Sequence, residues 1–472
     1  MSQRSRGEQG TVADCGGPRP RGRVIRTRTD GARMASTAKP PQPDASRSRR
    51  AWTVVVLLVL FMMINFMDKA VLGLAGDHIR AELRLTDTEF GSIGSVFFLL
   101  FSVSGVAVGF LADRLPVRWL LVGLVAVWSA SQLAVALPAA GLLTLMVTRV
   151  TLGMAEGPAL AMANHTAFSW FPDRERALPS TLLATGGAFG VALGAPALAA
   201  LITSAGWRSA FLATGLLGVL WVALWLAKGG EGGYSARGAA ADGPRFPFLR
   251  MITCGTVLGG LAAGFAAYWS MAVAVTWLPQ YLQRVHGMEL ERASLVTAAT
   301  QVVGIVVMLS IGYASTRMTR AGRSSRAALG YLGGAAVVLS GAAMLLVTRS
   351  GGGAAFVAVL MVAYTFGNAF FGLMQAAAAE LAPVRQRGAV LGTVTALASL
   401  AGALGPVLTG AVVDAAGTAE AGFRHAFDLG AALMIVGGLL AAAFVRPARD
   451  RAALDAARPA GGGSRALTKG QI

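Results

Sequence analysis

The segment Gly109-Phe-Leu-Ala-Asp-Arg-Leu-Pro-Val-Arg118, which lies between two long apolar runs, decides the fold because a degraded copy of it occurs later in the chain. The copy is Gly312-Tyr-Ala-Ser-Thr-Arg-Met-Thr-Arg320, again between two apolar runs and roughly 200 residues further on. Pro196 and Pro406, each at the end of a Gly/Ala-rich stretch, repeat at nearly the same offset. The sequence therefore predicts two related halves.

Apolar runs of roughly 20 residues, long enough to cross a hydrocarbon core of about 30 Å, recur along the chain. Of the 472 residues, 55% are hydrophobic and 14% charged, and the mean hydropathy is +0.60, which is typical of a membrane protein. The runs are apolar nearly all round instead of alternating, which favours helices over barrel strands. We predict an all-α membrane protein with twelve transmembrane helices, near residues 52–75, 91–112, 119–137, 142–165, 178–204, 209–227, 253–279, 294–315, 327–347, 354–379, 388–413 and 426–446.

Basic residues concentrate in every second loop, and such loops face the cytoplasm. This topology explains the net charge of +18 better than nucleic-acid binding does. Both termini are then cytoplasmic in a multi-pass protein of the cell inner membrane. The basic residues are Arg47, Arg49, Arg50, Arg114, Arg118, Arg174, Arg176, Lys228, Arg237, Arg245, Arg250, Arg317, Arg320, Arg323, Arg326, Arg385 and Arg387.

The repeat and the loops together predict the domain organisation. Each copy of a repeated segment lies six spans after its partner, so the two halves share one orientation and are related by an axis along the membrane normal. The predicted parts are a disordered basic tail (1–50), an N-terminal six-helix half (51–227), a cytoplasmic linker (228–250), a C-terminal six-helix half (251–446) and a cytoplasmic tail (447–472).

Four ionisable residues fall at membrane depth, where charged side chains usually face a cavity: Asp68, Lys69, Arg149 and Glu156. Seven residues, nearly two helical turns, separate Arg149 from Glu156, so the two share a helix face. Asp68 and Lys69 lie about 24 Å from the cytoplasmic side of a hydrocarbon core of about 30 Å, and are therefore near its outer side. Arg149 lies about 10 Å from the outer side, so the depths of the three residues nearly coincide. We expect the four side chains to line one cavity.

In that cavity, Lys69 and Arg149 are expected to bind the carboxylate of an anionic substrate, with Arg149 forming bidentate hydrogen bonds. Asp68 and Glu156 are expected to take up and release protons as that negative charge arrives. The alternative is that the four residues form internal ion pairs that only fix helix packing.

Two six-span halves with a Gly-x-Leu-Ala-Asp-Arg loop resemble the major facilitator superfamily. Within it, Asp68-Lys69, Arg149-x3-Gly153-x2-Glu156-Gly157 and Trp277-Leu-Pro-x-Tyr281 resemble the anion:cation symporter family, whose members carry hexuronates, aldonates, phthalate and related carboxylates. The resemblance implies that Asp68, Arg149 and Glu156 serve proton coupling and anion binding. Lys69 stands where the family usually has Arg, which leaves open a different substrate or a shifted proton coupling.

The second half contains fewer polar side chains in its spans than the resemblance implies. The best further candidates for substrate binding are Tyr268, Trp269, Gln301, Tyr364, Asn368 and Gln375.

A conformational gate is predicted at the cytoplasmic end of the second span, at Gly109, Asp113, Arg114 and Arg118. Gly109 permits a close helix approach, and Asp113 is placed to accept hydrogen bonds from the N-terminus of the eleventh span near Arg387. The alternative is that the two arginines only set the topology.

The predicted function is secondary active transport by a monomer: proton-coupled symport of a small organic anion by alternating access, with no cofactor or metal. Nucleotide-binding motifs and metal-ligand spacings are absent, and four scattered His with two Cys argue against an enzyme. The alternatives are a proton-driven exporter of drugs or metabolites and a non-transporting membrane receptor with the same fold.

Overall fold

The protein is helical, as the sequence predicts. The structure, a computed structural model, describes residues 45–112, 114–172, 175–234 and 246–456. Within these ranges the helices are α1 (Ala45–Leu74), α2 (Gly76–Leu83), α3 (Asp87–Ala112), α4 (Val117–Val135), α5 (Leu142–Glu156), α6 (Ala159–Phe168), α7 (Ala177–Ala205), α8 (Trp207–Lys228), α9 (Phe248–Ile252), α10 (Gly255–Arg284), α11 (Leu290–Arg320), α12 (Leu332–Val347), α13 (Ala354–Thr365), α14 (Phe370–Leu381), α15 (Val384–Asp414), α16 (Ala419–Phe444) and α17 (Pro447–Ala456).

Eleven helical segments in the described ranges are long and apolar enough to cross a membrane. The predicted fourth span differs, because it consists of two shorter helices, α5 and α6, which meet at Gly157 and Pro158. Proline has no amide hydrogen and its ring clashes with the preceding turn, so the helix is interrupted there. The predicted tenth span has a comparable break between α13 and α14, which supports the internal repeat.

Two long helix pairs join the halves: α3 packs along α15, and α7 along α11. The predicted repeat makes α3 equivalent to α11 and α7 equivalent to α15, so the two interfaces are copies of each other. Glycines allow the backbones to meet, since a Cβ at Gly91 or Gly410 would overlap the carbonyl groups of Pro406 or Asp87.

The N-terminal end of the described chain is more ordered than predicted, and the C-terminal end forms a further helix. Residues 45–50, assigned to the disordered tail, already belong to α1, and residues 447–456 form α17. This last helix is held because Arg451 donates to the Leu381 carbonyl (2.8 Å) and Asp450 accepts from the Thr256 amide (2.7 Å). The rest of both predicted tails lies outside the described residues.

Candidate functional site

A cavity of about 400 Å³ lies between the two halves, within the range of roughly 300–1,000 Å³ that is typical of small-molecule sites. Helices of both halves contribute to its lining. Trp269 instead packs in the core, and the Gln375 amide donates to the Thr395 hydroxyl (2.6 Å), so neither lines it. The lining includes six of the eight residues named as candidates for substrate binding: Lys69, Arg149, Tyr268, Gln301, Tyr364 and Asn368.

Lys69 of α1 reaches the cavity wall with its charge already neutralised. Its Nζ lies 2.5 Å from Glu156 Oε2 and donates to Asn65 Oδ1 at 2.5 Å. The rings of Phe66 and Phe97 lie 4.7 and 5.7 Å from Nζ, within the distance of cation–π attraction. The side chain is 14% exposed, so a ligand in the cavity can contact the ammonium group.

Arg149 of α5 is buried, with 2% of its surface exposed, but its hydrogen bonding is incomplete. Its Nη1 donates to the main-chain carbonyl of Asp68 (3.2 Å), and its guanidinium lies 5.4 Å from the Phe211 ring. Its Nη2 has no hydrogen-bond partner among the described residues, and no described carboxylate forms an ion pair with it. A buried donor without an acceptor is unfavourable, so Arg149 is poised for an anionic ligand.

Glu156 is the last residue of α5 and lies directly before the break at Gly157 and Pro158. Its carboxylate is buried, is not part of the cavity lining, and pairs with the lining residue Lys69. A Cβ at Gly153 or Gly157 would overlap the backbone of α3, so these two glycines let α5 approach α3 closely. This packing holds Glu156 in place beside Lys69.

Asp68 of α1 points away from the cavity and is fully buried. Its Oδ1 accepts a hydrogen bond from Gln132 Nε2 of α4 (2.7 Å), which also lies 3.2 Å from the Thr214 hydroxyl of α8. Its Oδ2 has no hydrogen-bond partner within the described part of the chain. Of the four charges expected to line one cavity, the structure thus places Lys69 and Arg149 on the wall and both carboxylates behind it.

Sequence reasoning missed Asn65 and Gln132, which hold Lys69 and Asp68 in place. A signal was present, because an amide side chain inside an apolar span is expensive unless it has a partner.

His165 is exposed and lies outside the cavity lining.

The two halves are joined where α1 ends and α3 begins by four charged residues, which we call the interhalf seal: Arg80, Asp87, Arg284 and Asp414. The buried Asp87 carboxylate accepts from Arg284 of the other half at 2.7 and 3.1 Å and lies 2.9 Å from Arg80 Nε. Asp414, at the end of α15, accepts from the amides of Asp87 (2.9 Å) and Thr88 (2.7 Å), so it caps α3 across the interface. The sequence analysis did not identify this seal.

The predicted gate lies at the opposite end of α3. Gly109 is near the end of that helix, Asp113 lies outside the described residues, and Arg114 is exposed. Arg118 contacts its own half and the start of the linker: its Nη2 donates to the Leu226 carbonyl (2.7 Å) and its amide to the Glu231 carboxylate (2.9 Å). The gate therefore stays a prediction.

The sequence profile of the Major Facilitator Superfamily matches residues 58–369. The hexuronate transporter of Bacillus subtilis (strain 168) is 29% identical over 411 residues, which are 84% of this chain and 94% of that protein. The D-galactonate transporter of Escherichia coli O6:H1 is 26% identical over 406 residues, 81% and 93% of the two chains. A bacterial homologue of the human lysosomal transporter Spinster, in an inward-facing and occupied conformation, has a TM-score of 0.72 at 19% identity and covers 87% of this chain and 99% of its own. With its fold, its cavity and a profile match over more than half of its length, the chain belongs to the Major Facilitator Superfamily of membrane transporters.

Proposed function

We propose that this transporter carries a small organic anion together with protons by alternating access, and that the carboxylate of the anion binds to Arg149 and Lys69. The observation that carries the proposal is the buried Arg149 guanidinium, whose Nη2 lacks an acceptor among the described residues. The hexuronate and D-galactonate transporters among its relatives act on anions of this chemical kind, which supports the proposal.

Coupling between anion and proton follows from the contact between Lys69 and Glu156. A substrate carboxylate that approaches Lys69 competes with Glu156 for the ammonium group, whose distance to Glu156 is 2.5 Å. Once released, a buried carboxylate is strongly destabilised unless it binds a proton. Anion and proton then enter together, and the net charge of the site stays the same.

Asp68 is proposed as a second proton-exchanging group. Its Oδ2 lacks a hydrogen-bond partner in the described ranges, and its main-chain carbonyl accepts from Arg149. A movement of Arg149 toward a ligand is therefore transmitted to α1 at Asp68.

The interhalf seal is proposed as the outer gate, since the basic loops place its side of the molecule away from the cytoplasm. Asp87 belongs to the first half, whereas Arg284 and Asp414 belong to the second. These bonds must break before the cavity opens outward. The residues predicted at the cytoplasmic end, Asp113 and Arg118 among them, are proposed to close the other side in turn.

A proton-driven exporter would share the fold and the seal but would have no need for a buried arginine held ready for an anion. A non-transporting receptor would bind a ligand without accumulating it.

The monomeric state, the inner membrane and the cytoplasmic termini are further parts of the proposal.

Uptake into proteoliposomes tests the function. With the outside more acidic, we expect at least one of labelled benzoate, galactonate and glucuronate to enter faster than in protein-free liposomes, and a protonophore to remove the difference. The protein-free control is essential because benzoic acid crosses lipid by itself. Failure of all three anions to exceed that control, with proton-driven movement of a lipophilic cation instead, would favour the exporter.

The outer gate is tested by thiol labelling. With Cys15 and Cys254 changed to serine and a cysteine introduced at Ala274 in the cavity wall, a membrane-impermeant thiol reagent added outside should react slowly. Arg284→Ala should raise the labelling rate several-fold, because it breaks the link between α10 and α3. Arg349→Ala is the matched control, since its bidentate pair with Asp428 (2.8 and 2.9 Å) joins the segment after α12 to α16 within one half. Equal rates in both variants would show that the seal is not the gate.

A further inference from the structure

We propose that the transported anion is an aromatic monocarboxylate and not a polyhydroxylated sugar acid. This inference rests on the proposed function, because it assumes that the cavity between the halves is the transport site. It goes beyond the relatives, whose names refer to sugar acids.

The first observation is the aromatic character of the cavity wall. Rings surround the lining cations and extend to the opposite half, and aliphatic side chains or methionines such as Met271 and Met308 fill much of the remaining wall. An aromatic ligand gains more from such a wall than burial alone provides, since rings attract each other edge to face. The lining rings include Phe66, Phe97, Phe98, Phe101, Tyr268 and Phe371.

The second observation is that several lining polar groups already donate their hydrogen bonds within the protein. The hydroxyls of Thr185, Thr297 and Thr300 donate to main-chain carbonyls of their own helices at 3.0, 2.9 and 2.6 Å. The Asn368 amide donates to the Tyr364 carbonyl at 3.0 Å. A sugar acid would bring several hydroxyls into this wall, and those left without partners would weaken its binding.

The third observation concerns charge. Among the described residues the cations of the lining are Lys69 and Arg149, and Glu156 neutralises Lys69. Both cations belong to the first half, so a single carboxylate bound at that wall reaches both, whereas a second carboxylate would face apolar side chains. The Tyr364 hydroxyl and Asn65 Nδ2, which have no hydrogen-bond partner in the described part of the chain, can serve one polar substituent on the ring.

Binding to the purified full-length protein, measured by calorimetry, tests the proposal. We expect benzoate to bind about 10-fold more tightly than galactonate or glucuronate, and several-fold more tightly than cyclohexanecarboxylate, which has the same charge but no aromatic face. Phthalate and benzamide should bind more weakly than benzoate, because one adds a second charge and the other has none.

The variant Phe371→Leu tests the ring contact at nearly unchanged polarity. Phe371 packs edge to face against Tyr268 at 4.7 Å, so its loss should weaken benzoate binding about 5-fold and leave cyclohexanecarboxylate within about 2-fold. Phe371→Tyr should restore benzoate binding. An unchanged melting temperature of the leucine variant separates lost contact from misfolding, and equal weakening of both ligands would overturn the aromatic assignment.

The remaining outcomes separate this inference from the proposed function. Tighter binding of galactonate or glucuronate than of benzoate would overturn the substrate class and leave anion transport intact. Binding of phthalate as tight as that of benzoate would overturn the single-charge argument. Absence of binding by every carboxylate would overturn the proposed function itself.

Discussion

Replacing Arg149 with alanine will abolish uptake and strongly weaken carboxylate binding. Arg149 is the cavity cation that has no carboxylate partner among the described residues, and this variant removes it. The other cavity cation, Lys69, stays paired with Glu156. Truncating a buried charge that pairs with a ligand costs about 2–5 kcal/mol, which corresponds to weaker binding by a factor of about 30 to several thousand. Calorimetry and initial uptake rates, with the anion that wild-type protein binds best, provide the measurement.

Two further variants make the Arg149 result interpretable. Arg149→Lys keeps the charge but loses the planar fork, so its affinity should lie between those of the wild type and the alanine variant. Arg208→Ala removes an arginine whose ion pair with Glu82 (2.5 Å) lies outside the cavity, so transport should remain near normal. Near-normal uptake by a folded Arg149→Ala protein would contradict the assigned role.

Replacing Glu156 with glutamine will separate transport from its energy source. Glutamine imitates the protonated acid, so the cavity can still bind and exchange the anion, but the site no longer gains or loses a proton. We expect counterflow exchange within a few-fold of wild type and an accumulation ratio of about 1 under an imposed pH gradient. Both are measured in the same proteoliposomes.

Glu82→Gln is the matched carboxylate control for Glu156. Hydrogen bonds from Trp207 and Arg208 hold the pKa of Glu82 below its usual range and so favour its ionised form, and Glu82 does not line the cavity. This variant should accumulate substrate as the wild type does. Normal pH-driven accumulation by Glu156→Gln would instead move the coupling site elsewhere, with Asp68→Asn the next variant to measure.

The fold could be predicted from the sequence because the bilayer limits the structures that a spanning chain can adopt. A helix must reach across the hydrocarbon core and satisfy its own backbone, so length and apolar composition identify each span. The apolar run of the fourth span continues through Gly157 and Pro158, so the span pattern predicts one unbroken helix and misses the break after Glu156. Gly157 and Pro158 divide the fourth crossing there.

The placement of Lys69 and Arg149 on one wall could be predicted because an exposed charge in lipid is expensive, which leaves few other positions. The sequence could not show that Asp68 turns toward Gln132, since periodicity indicates the face of a helix but not the neighbour that covers it. Glu156 pairs with Lys69, but it does not lie on the cavity surface, where the sequence predicts it.

The interhalf seal was missed for a different reason. Asp87, Arg284 and Asp414 lie at the ends of spans, where charged residues are common and normally indicate only topology. Their contacts join helices that are far apart in the chain. Only the packed structure therefore shows that Asp87 pairs with Arg284 of the other half and that Asp414 caps α3.

One carboxylate is proposed to bind at Arg149 and Lys69 while a proton moves to the site. Calorimetry in buffers of different ionisation enthalpy measures the protons taken up for each anion bound, with the tightest-binding carboxylate of the panel. We expect about one proton for each anion in the wild type and a clear decrease in Glu156→Gln. Anion binding to the wild type with no proton uptake at any pH would contradict this proposal.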